Sequence, residues 1–433
     1  MLNFVPEYLF GILTVNIYYL EIKMKNIVII GAGYGGVAAA LALEKQFRKP
    51  EDYSITLIDR HSYHLFAPNL YEIGTAEEEL ATIDQLKKTI TVPLTDILKH
   101  TRISFLQSEV TSIDAAAQFV QAGTKKIHFD QLVVALGSQS DYFGIPGAEQ
   151  FSLPLKTFGD GLKIRNAVEF AIELHRMDVN KKNIRLVVAG GGYTGVEFAA
   201  ELAHELEFVA WKNGYPPEKI EISIVEATNS LIPGFSPKVS LDALRHLKQW
   251  GVRVLLSSPI QKVDEHNIYI QNGDTLAYDV LIWTTGVKAV ALPFVQPINT
   301  DRKGRIVTNN YLQSDKYNHI YAVGDSGCVI NIDGRPAPPT AEDAIDQGRY
   351  VGKTIPLLMR NLRPTPYKGH PHGYIITLGG RYAVLNYAGI YLKGWLAYIV
   401  RVCVHFNYYS QVVGIWKAAK YALFDWNIYG RND

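Results

Sequence analysis

Cysteine is scarce: the 433 residues include only Cys328 and Cys403. Two thiols so far apart in sequence provide neither a disulfide framework nor a cysteine-rich metal centre, and a reducing compartment suits them. Net charge is almost absent as well. With 43 Lys and Arg against 42 Asp and Glu, the formal charge is +1, so there is no basic field to recruit nucleic acid, and no such partner is expected. Long apolar runs are also missing. Residues 8–20 come nearest, but no positive segment precedes them, no small-residue cleavage site follows, and the apolar part is too short to span a bilayer. Residues 1–23 are therefore expected to be an upstream extension outside the fold, with Met24 opening the working chain.

What the chain does have is glycine at meaningful spacing. Residues 25–30 lead into Gly31, Gly33 and Gly36, and residues 185–189 lead into Gly190, Gly192 and Gly195 at the same offsets. Each stretch predicts a strand, a tight turn and a helix start, with a pyrophosphate lying on the positive end of the helix. One copy could equally be a strand-to-helix turn with no ligand. Here each copy is followed by an apolar run ending in an acid, Asp59 (beside Arg60) after the first and Glu226 after the second. A carboxylate there can accept hydrogen bonds from both ribose hydroxyls. Residues 211–217 lengthen the connection to the second acid. Two dinucleotide sites in one chain imply electron transfer between two dinucleotides.

The remaining chain repeats this plan. Residues 61–72 are expected to form a loop at the carboxyl edge of the first sheet, with His64 an ordinary core or surface histidine rather than a catalytic one. Residues 131–137 predict a buried strand ending at Gly137, and Pro146 with Gly147 turns the chain out of the first unit. Residues 278–286 repeat the pattern and end at Gly286. Residues 318–325 form a third such strand, and its Gly324 and Asp325 return the chain to the first unit. The expected class is α/β, with two Rossmann-like units: 24–150 continued by 291–390, and 151–290. Residues 391–433 form a C-terminal amphipathic, membrane-associating region.

With both glycine motifs, residues 284–286 and residues 322–325 in this order, the chain resembles the two-dinucleotide flavoproteins of the disulfide-reductase type. Within them it most resembles the type II NADH dehydrogenases, single-subunit NADH:quinone oxidoreductases that do not pump protons. The resemblance spans about residues 24–410. It is carried by Tyr193, Thr194, Gly195, Val196 and Glu197, by residues 143–147, by Pro339, Thr340 and Ala341, and by residues 394–398 with His405. It implies FAD on Gly31, Gly33, Gly36, Asp59, Arg60, Gly137, Gly324, Asp325 and Ala341, and NADH on Gly190, Gly192, Gly195, Glu226 and Gly286. It also implies a catalytic Glu197 near the nicotinamide and the flavin, whose ordinary alternative is a first-turn carboxylate stabilised by the helix dipole.

The acceptor is implied to be a quinone, because no Cys-x-x-Cys pair exists to take electrons as a disulfide reductase does. The family's glutamines are replaced here by Glu342 and Asp346. Four residues apart on one helix face, these carboxylates either relay protons to the acceptor or form a solvated face. The substitution leaves open a different acceptor, as in a sulfide:quinone oxidoreductase or an enzyme with a soluble acceptor, and also a flavin-bound redox sensor. In the tail, residues 394–406 and 412–426 are aromatic and apolar but interrupted by Arg401, Lys417 and Lys420. They predict helices lying in the membrane interface, at the cytoplasmic face, with a homodimer contact or plain apolar cap as the alternative. If the tail only anchors, removing residues 391–433 should leave flavin binding intact.

Overall fold

The two apolar lead-ins become the central strands of two parallel sheets. The computed structural model describes residues 24–47, 53–76, 81–177, 183–213, 219–291, 293–370 and 372–429; the expected extension 1–23 lies outside the described residues. In the first sheet the strand order is Ile320–Ala322, Gln131–Val134, Lys25–Ile30, Tyr53–Asp59 and Ser104–Gln107. In the second it is Leu153–Pro154, Val280–Trp283, Ile184–Ala189, Ile220–Val225 and Arg253–Leu255. All these pairings are parallel, with helices covering the sheets, so the strands are apolar throughout rather than alternating. Ile27, Ile29 and Ile30 are fully buried in one sheet, and Leu186 and Val188 in the other.

Each unit also carries a three-stranded antiparallel meander, inserted just before sheet strand Gln131–Val134 in the first unit and just before Val280–Trp283 in the second. These are residues 110–128 in the first unit and 260–277 in the second. The strand Ile320–Ala322 lies far downstream in sequence yet pairs with Gln131–Val134 in the first sheet. An antiparallel pair, Ser138–Ser140 with Val287–Ala289, joins the two units.

After that strand returns, helix Ala341–Met359 packs against helix Tyr34–Gln46. The approach is close because both faces are small. A Cβ on Gly348 would sit 2.3 Å from the Gly35 carbonyl oxygen, and one on Gly352 would sit 2.5 Å from the Ala42 Cβ. The packing brings the N-terminus of the later helix to the first glycine turn. Residues 61–72 are more ordered than the expected loop. Tyr63–Leu65 pairs with Thr91–Pro93, and Leu70–Thr75 is a short helix buried beneath the second unit's Phe198 and Ile164. The buried side chains Phe66, Leu70, Tyr71 and Ile73 outweigh the polar residues between them.

The tail is a meander, Tyr374–Thr377, Ala383–Tyr387 and Ile390–Gly394, followed by helices Trp395–Val413 and Ile415–Tyr429. Gly414, at φ +84°, separates the two helices. Among the described residues no helix is long and apolar enough to cross a membrane. The first helix has two distinct faces. Ala397, Arg401 and Tyr409 are buried on one, and Trp395, Leu396, Ile399 and Val402 are exposed on the other. Arg401 therefore corrects the expectation that it interrupts a lipid-facing surface, because it points into the protein. Lys417 pairs with Asp96 at 2.7 Å. The Trp426 side chain lies outside the described residues.

Candidate functional site

The two glycine turns share one geometry. Gly31 and Gly190 hold φ of +99° and +102°, where a side chain would be strained. A Cβ on Gly36 would lie 1.8 Å from the Gly31 carbonyl oxygen, and one on Gly195 would lie 2.0 Å from that of Gly190, so the third glycine of each set is required by packing alone. The middle glycines differ: nothing lies within 4 Å of a Cβ on Gly33 or Gly192. Their space is open on the side a ligand would approach. Helix Tyr34–Gln46 has no side-chain cap and no acid in its first turn, and helix Tyr193–Asn213 likewise starts without an acid. Uncapped N–H groups at these helix ends suit a pyrophosphate, so the residues fit a dinucleotide in each turn.

The acids predicted to meet ribose also hold the turns. Asp59 accepts the Ala32 N–H at 2.6 Å and the His61 N–H at 2.7 Å. Glu226 accepts the Gly191 N–H at 2.6 Å and the Thr228 N–H at 2.7 Å. Each carboxylate keeps lone pairs for hydroxyl donors. Arg60 is exposed, with its carbonyl accepting from Gln107.

Around Asp325, residues from three parts of the chain meet. The Ser138 hydroxyl donates to Asp325 at 2.5 Å and accepts from the Lys156 amine at 3.1 Å. Desolvation lowers the Lys156 pKa, and Asp325 and Asp160 partly offset it. The Gly324 N–H donates to Gln347 at 2.7 Å, and the Gly137 N–H donates to Ser326. Gly324, Asp325, Ser138, Gln347 and Pro339 line one cleft. Ala341 opens its helix two residues after Pro339, which lines this cleft. Gly286 packs against the Phe143 ring and accepts the Asp141 N–H.

Glu197 lies one turn inside its helix, which removes the first-turn dipole explanation. It accepts the Thr377 N–H and hydroxyl, both at 3.2 Å. Burial raises its pKa to about 7, with Arg401 and Thr377 opposing the shift. The Thr377 hydroxyl also lies 3.0 Å from the Tyr71 hydroxyl, and the Arg401 guanidinium donates to Tyr71, Asn69 and Glu72 at 2.8, 2.8 and 3.1 Å. A continuous polar chain thus runs from half-buried Glu197 through buried Thr377 and Tyr71 to Arg401 of the tail helix.

Glu342 and Asp346 are not part of that chain. Glu342 is exposed, and Asp346 accepts weakly from the Tyr367 hydroxyl at 3.4 Å. The buried acid of that helix is Asp343, bonded to its N-cap Thr340, with its pKa raised by burial. The Tyr193 hydroxyl donates to the Pro339 carbonyl at 3.2 Å, at the edge of the Asp325 cleft. Its ionisation is pushed up, first by desolvation and then by the carboxylates Asp325 and Glu197.

Sequence inspection missed Ser138, Lys156, Tyr71, Asn69, Thr377, Arg401 and Gln347. No spacing marks them, since the Tyr71, Thr377 and Arg401 contacts join residues about 300 apart. Only Arg401, a lone charge in an apolar aromatic run, carried a signal, and it was assigned to the wrong side of the helix.

Residues 25–348 match the model of the pyridine nucleotide-disulphide oxidoreductase family. Curated relatives named type II NADH:quinone oxidoreductase, from Staphylococcus haemolyticus and Staphylococcus aureus, are each 28% identical over 404 residues, covering 92% of this chain and 98% of theirs. The fold of NDH2 from Plasmodium falciparum, solved with NADH, is similar with a TM-score of 0.80 at 20% identity, covering 94% of this chain and 99% of that one. The sulfide:quinone oxidoreductase of Aquifex aeolicus is similar with a TM-score of 0.71 at 20% identity, covering 90% and 92%.

Proposed function

We propose, on the premise that this chain belongs to the pyridine nucleotide-disulphide oxidoreductase family, that it is an FAD-dependent NADH:quinone oxidoreductase. The observation that carries this is the pair of matched turns with open middle glycines, together with half-buried Glu197 bonded to Thr377 of the tail meander. Curated relatives bearing that name align over nearly their full length. The boundaries 24–150, 151–290, 291–390 and 391–433 belong to the same proposal, supported by the strand that returns to the first sheet.

In this assignment Gly31, Gly33, Gly36, Asp59, Gly137, Gly324, Asp325 and Ala341 hold FAD, with Arg60 at its rim. Gly190, Gly192, Gly195, Glu226 and Gly286 hold NADH. When bound, the flavin accepts a hydride from NADH and passes two electrons to the quinone. The chain's own task is positioning and protons. Asp325, oriented by Ser138 and Lys156, is placed to accept a flavin hydroxyl. Glu197, with its pKa near 7, can hold a proton on its carboxyl at neutral pH and release it, while Thr377, Tyr71 and Arg401 fix its orientation. Glu342 and Asp346, in place of the family's glutamines, are assigned to the quinone side of helix Ala341–Met359.

The thiol chemistry of a sulfide:quinone oxidoreductase is less well supported. Cys328 is half-buried with its pKa raised by burial, and Cys403 is exposed on the tail helix. The exposed face containing Trp395, Ile399 and Val402, continued by Trp416 and Leu423, supports peripheral attachment to a membrane, which we assign to its cytoplasmic face. A second copy of the chain on that face is the alternative. The test is steady-state NADH oxidation with a quinone, combined with stopped-flow reoxidation of the reduced protein. Fast reoxidation by quinone relative to oxygen is expected. Flavin reduction without quinone turnover would leave another acceptor or a sensor.

A further inference from the structure

His64 is completely buried, and both of its ring nitrogens are engaged. Nδ1 lies 2.9 Å from the carbonyl oxygen of Ala32, the residue between Gly31 and Gly33. Nε2 lies 2.7 Å from the hydroxyl of Tyr408 on helix Trp395–Val413. A carbonyl can only accept, so Nδ1 carries the hydrogen and Nε2 accepts from the tyrosine. Tyr34 meets the imidazole edge-on with centroids 4.8 Å apart, and Tyr34 and Phe66 also pack on Tyr408. This aromatic box encloses the imidazole, so its bond to Ala32 is buried, and its bond to Tyr408 is partly buried. Burial lowers the His64 pKa to about 4, which keeps the ring in the neutral form the arrangement needs.

Peptide geometry gives this contact its consequence. In a planar trans peptide the N–H points opposite to the C=O, so fixing the Ala32 carbonyl toward His64 turns the Gly33 N–H away from His64. Asp59 holds the N–H of the same Ala32. Both peptide groups flanking Ala32 are thereby set. The second turn provides an internal control. There Glu226 holds the Gly191 N–H, and the Gly191 carbonyl is held at 2.7 Å by the main-chain N–H of Ile232. The same acceptor is satisfied by main chain of the same unit in one turn, and in the other by a side chain that the tail helix itself supports.

We propose that His64 is a positioning residue for the phosphate-binding peptide of the first glycine turn, held in that role by Tyr408 of the C-terminal helix. FAD retention thus depends on tail docking, whereas nucleotide binding at the second turn does not. This rests on FAD occupying the first turn.

The experiment uses the full-length holoenzyme and two readouts: the FAD dissociation constant, from the fluorescence of released flavin, and binding of ADP-ribose, a redox-inert probe of the second turn. His64→Leu should weaken FAD binding roughly tenfold, the effect of leaving a buried acceptor unpaired. Tyr408→Phe, which removes one oxygen and keeps the packing, should weaken it about threefold. His64→Asn should recover most of the affinity, because its amide N–H sits close to the Nδ1 position. ADP-ribose affinity should not change in any of the three. Unchanged FAD affinity in His64→Leu, equal losses of FAD and ADP-ribose, or no rescue by asparagine would each overturn the proposal. Wild-type protein that binds ADP-ribose but never FAD would instead overturn the cofactor assignment on which it rests.

Discussion

The first and second glycine turns can be compared group by group. Each begins with a positive-φ glycine, leaves its middle glycine open and packs its third glycine against the first, and each has an acid accepting the same turn N–H. They part at the carbonyl of the following peptide. Ile232 holds it through the main chain in the second turn, and in the first His64 holds it through an imidazole backed by Tyr408. Duplicated turns therefore need not be equally autonomous. Where the main chain supplies the last bond, a unit stabilises its own site, and where a side chain braced from the tail supplies it, the site reports on whatever holds that side chain.

Removing residues 391–433 tests this contrast most severely. Arg401, Tyr409 and Ala418 are buried against the body, and Tyr408 completes the His64 contact. We expect the truncated protein to lose nearly all its flavin, measured as bound FAD per chain, with reduced solubility from the uncovered Phe66 and Tyr34. That replaces the expectation that the tail merely anchors. Full flavin content after truncation would dissolve the contrast.

Substituting glycines separates packing from ligand contact. Gly36→Ala and Gly195→Ala drive a Cβ into backbone oxygen at 1.8 and 2.0 Å and should each cost more than about 3 kcal/mol, seen as a lowered Tm without ligand. Gly33→Ala and Gly192→Ala place their Cβ in open space. They should leave ligand-free Tm nearly unchanged and weaken only FAD or only the nicotinamide nucleotide, respectively. A Tm loss in Gly33→Ala as large as in Gly36→Ala would break the assignment of the open side.

Glu197 sits where the units and the tail converge, and pH probes it. Its folded pKa of about 7 exceeds the ordinary 4.5, so the folded state binds this proton more tightly. The resulting stability is fully present below 4.5 and is lost as pH rises through about 7. Quinone turnover should fall over the same rise, and Glu197→Gln should flatten that limb in a pH-rate profile. A profile unchanged by Glu197→Gln would remove the carboxyl from proton handling.

The mildest change concerns nucleotide choice at the self-contained turn. Glu226 is buried at its strand end and would repel a 2′-phosphate, so NADH should be preferred over NADPH. Glu226→Ala should raise the KM for NADH a few-fold, about the loss of one or two hydrogen bonds, and narrow the preference. Equal kcat/KM for both nucleotides in the unmodified protein would refute this.

Sequence alone determined the features whose physics is local. Apolar strands leading into spaced glycines, and acids at the following strand ends, follow from backbone sterics and a few neighbouring residues, and they were legible as two turns with Asp59 and Glu226. The α/β class followed from their repetition. Tertiary structure alone decided which side chains complete those turns. Arg401 reaches Tyr71, Tyr408 reaches His64, and Thr377 reaches Glu197 across 180 to 344 positions of sequence. No periodicity encodes such meetings, because they depend on how helices and sheets pack. The same packing chose the inward face of the tail helix, where burying a charge is tolerable only with the three acceptors that Arg401 finds there.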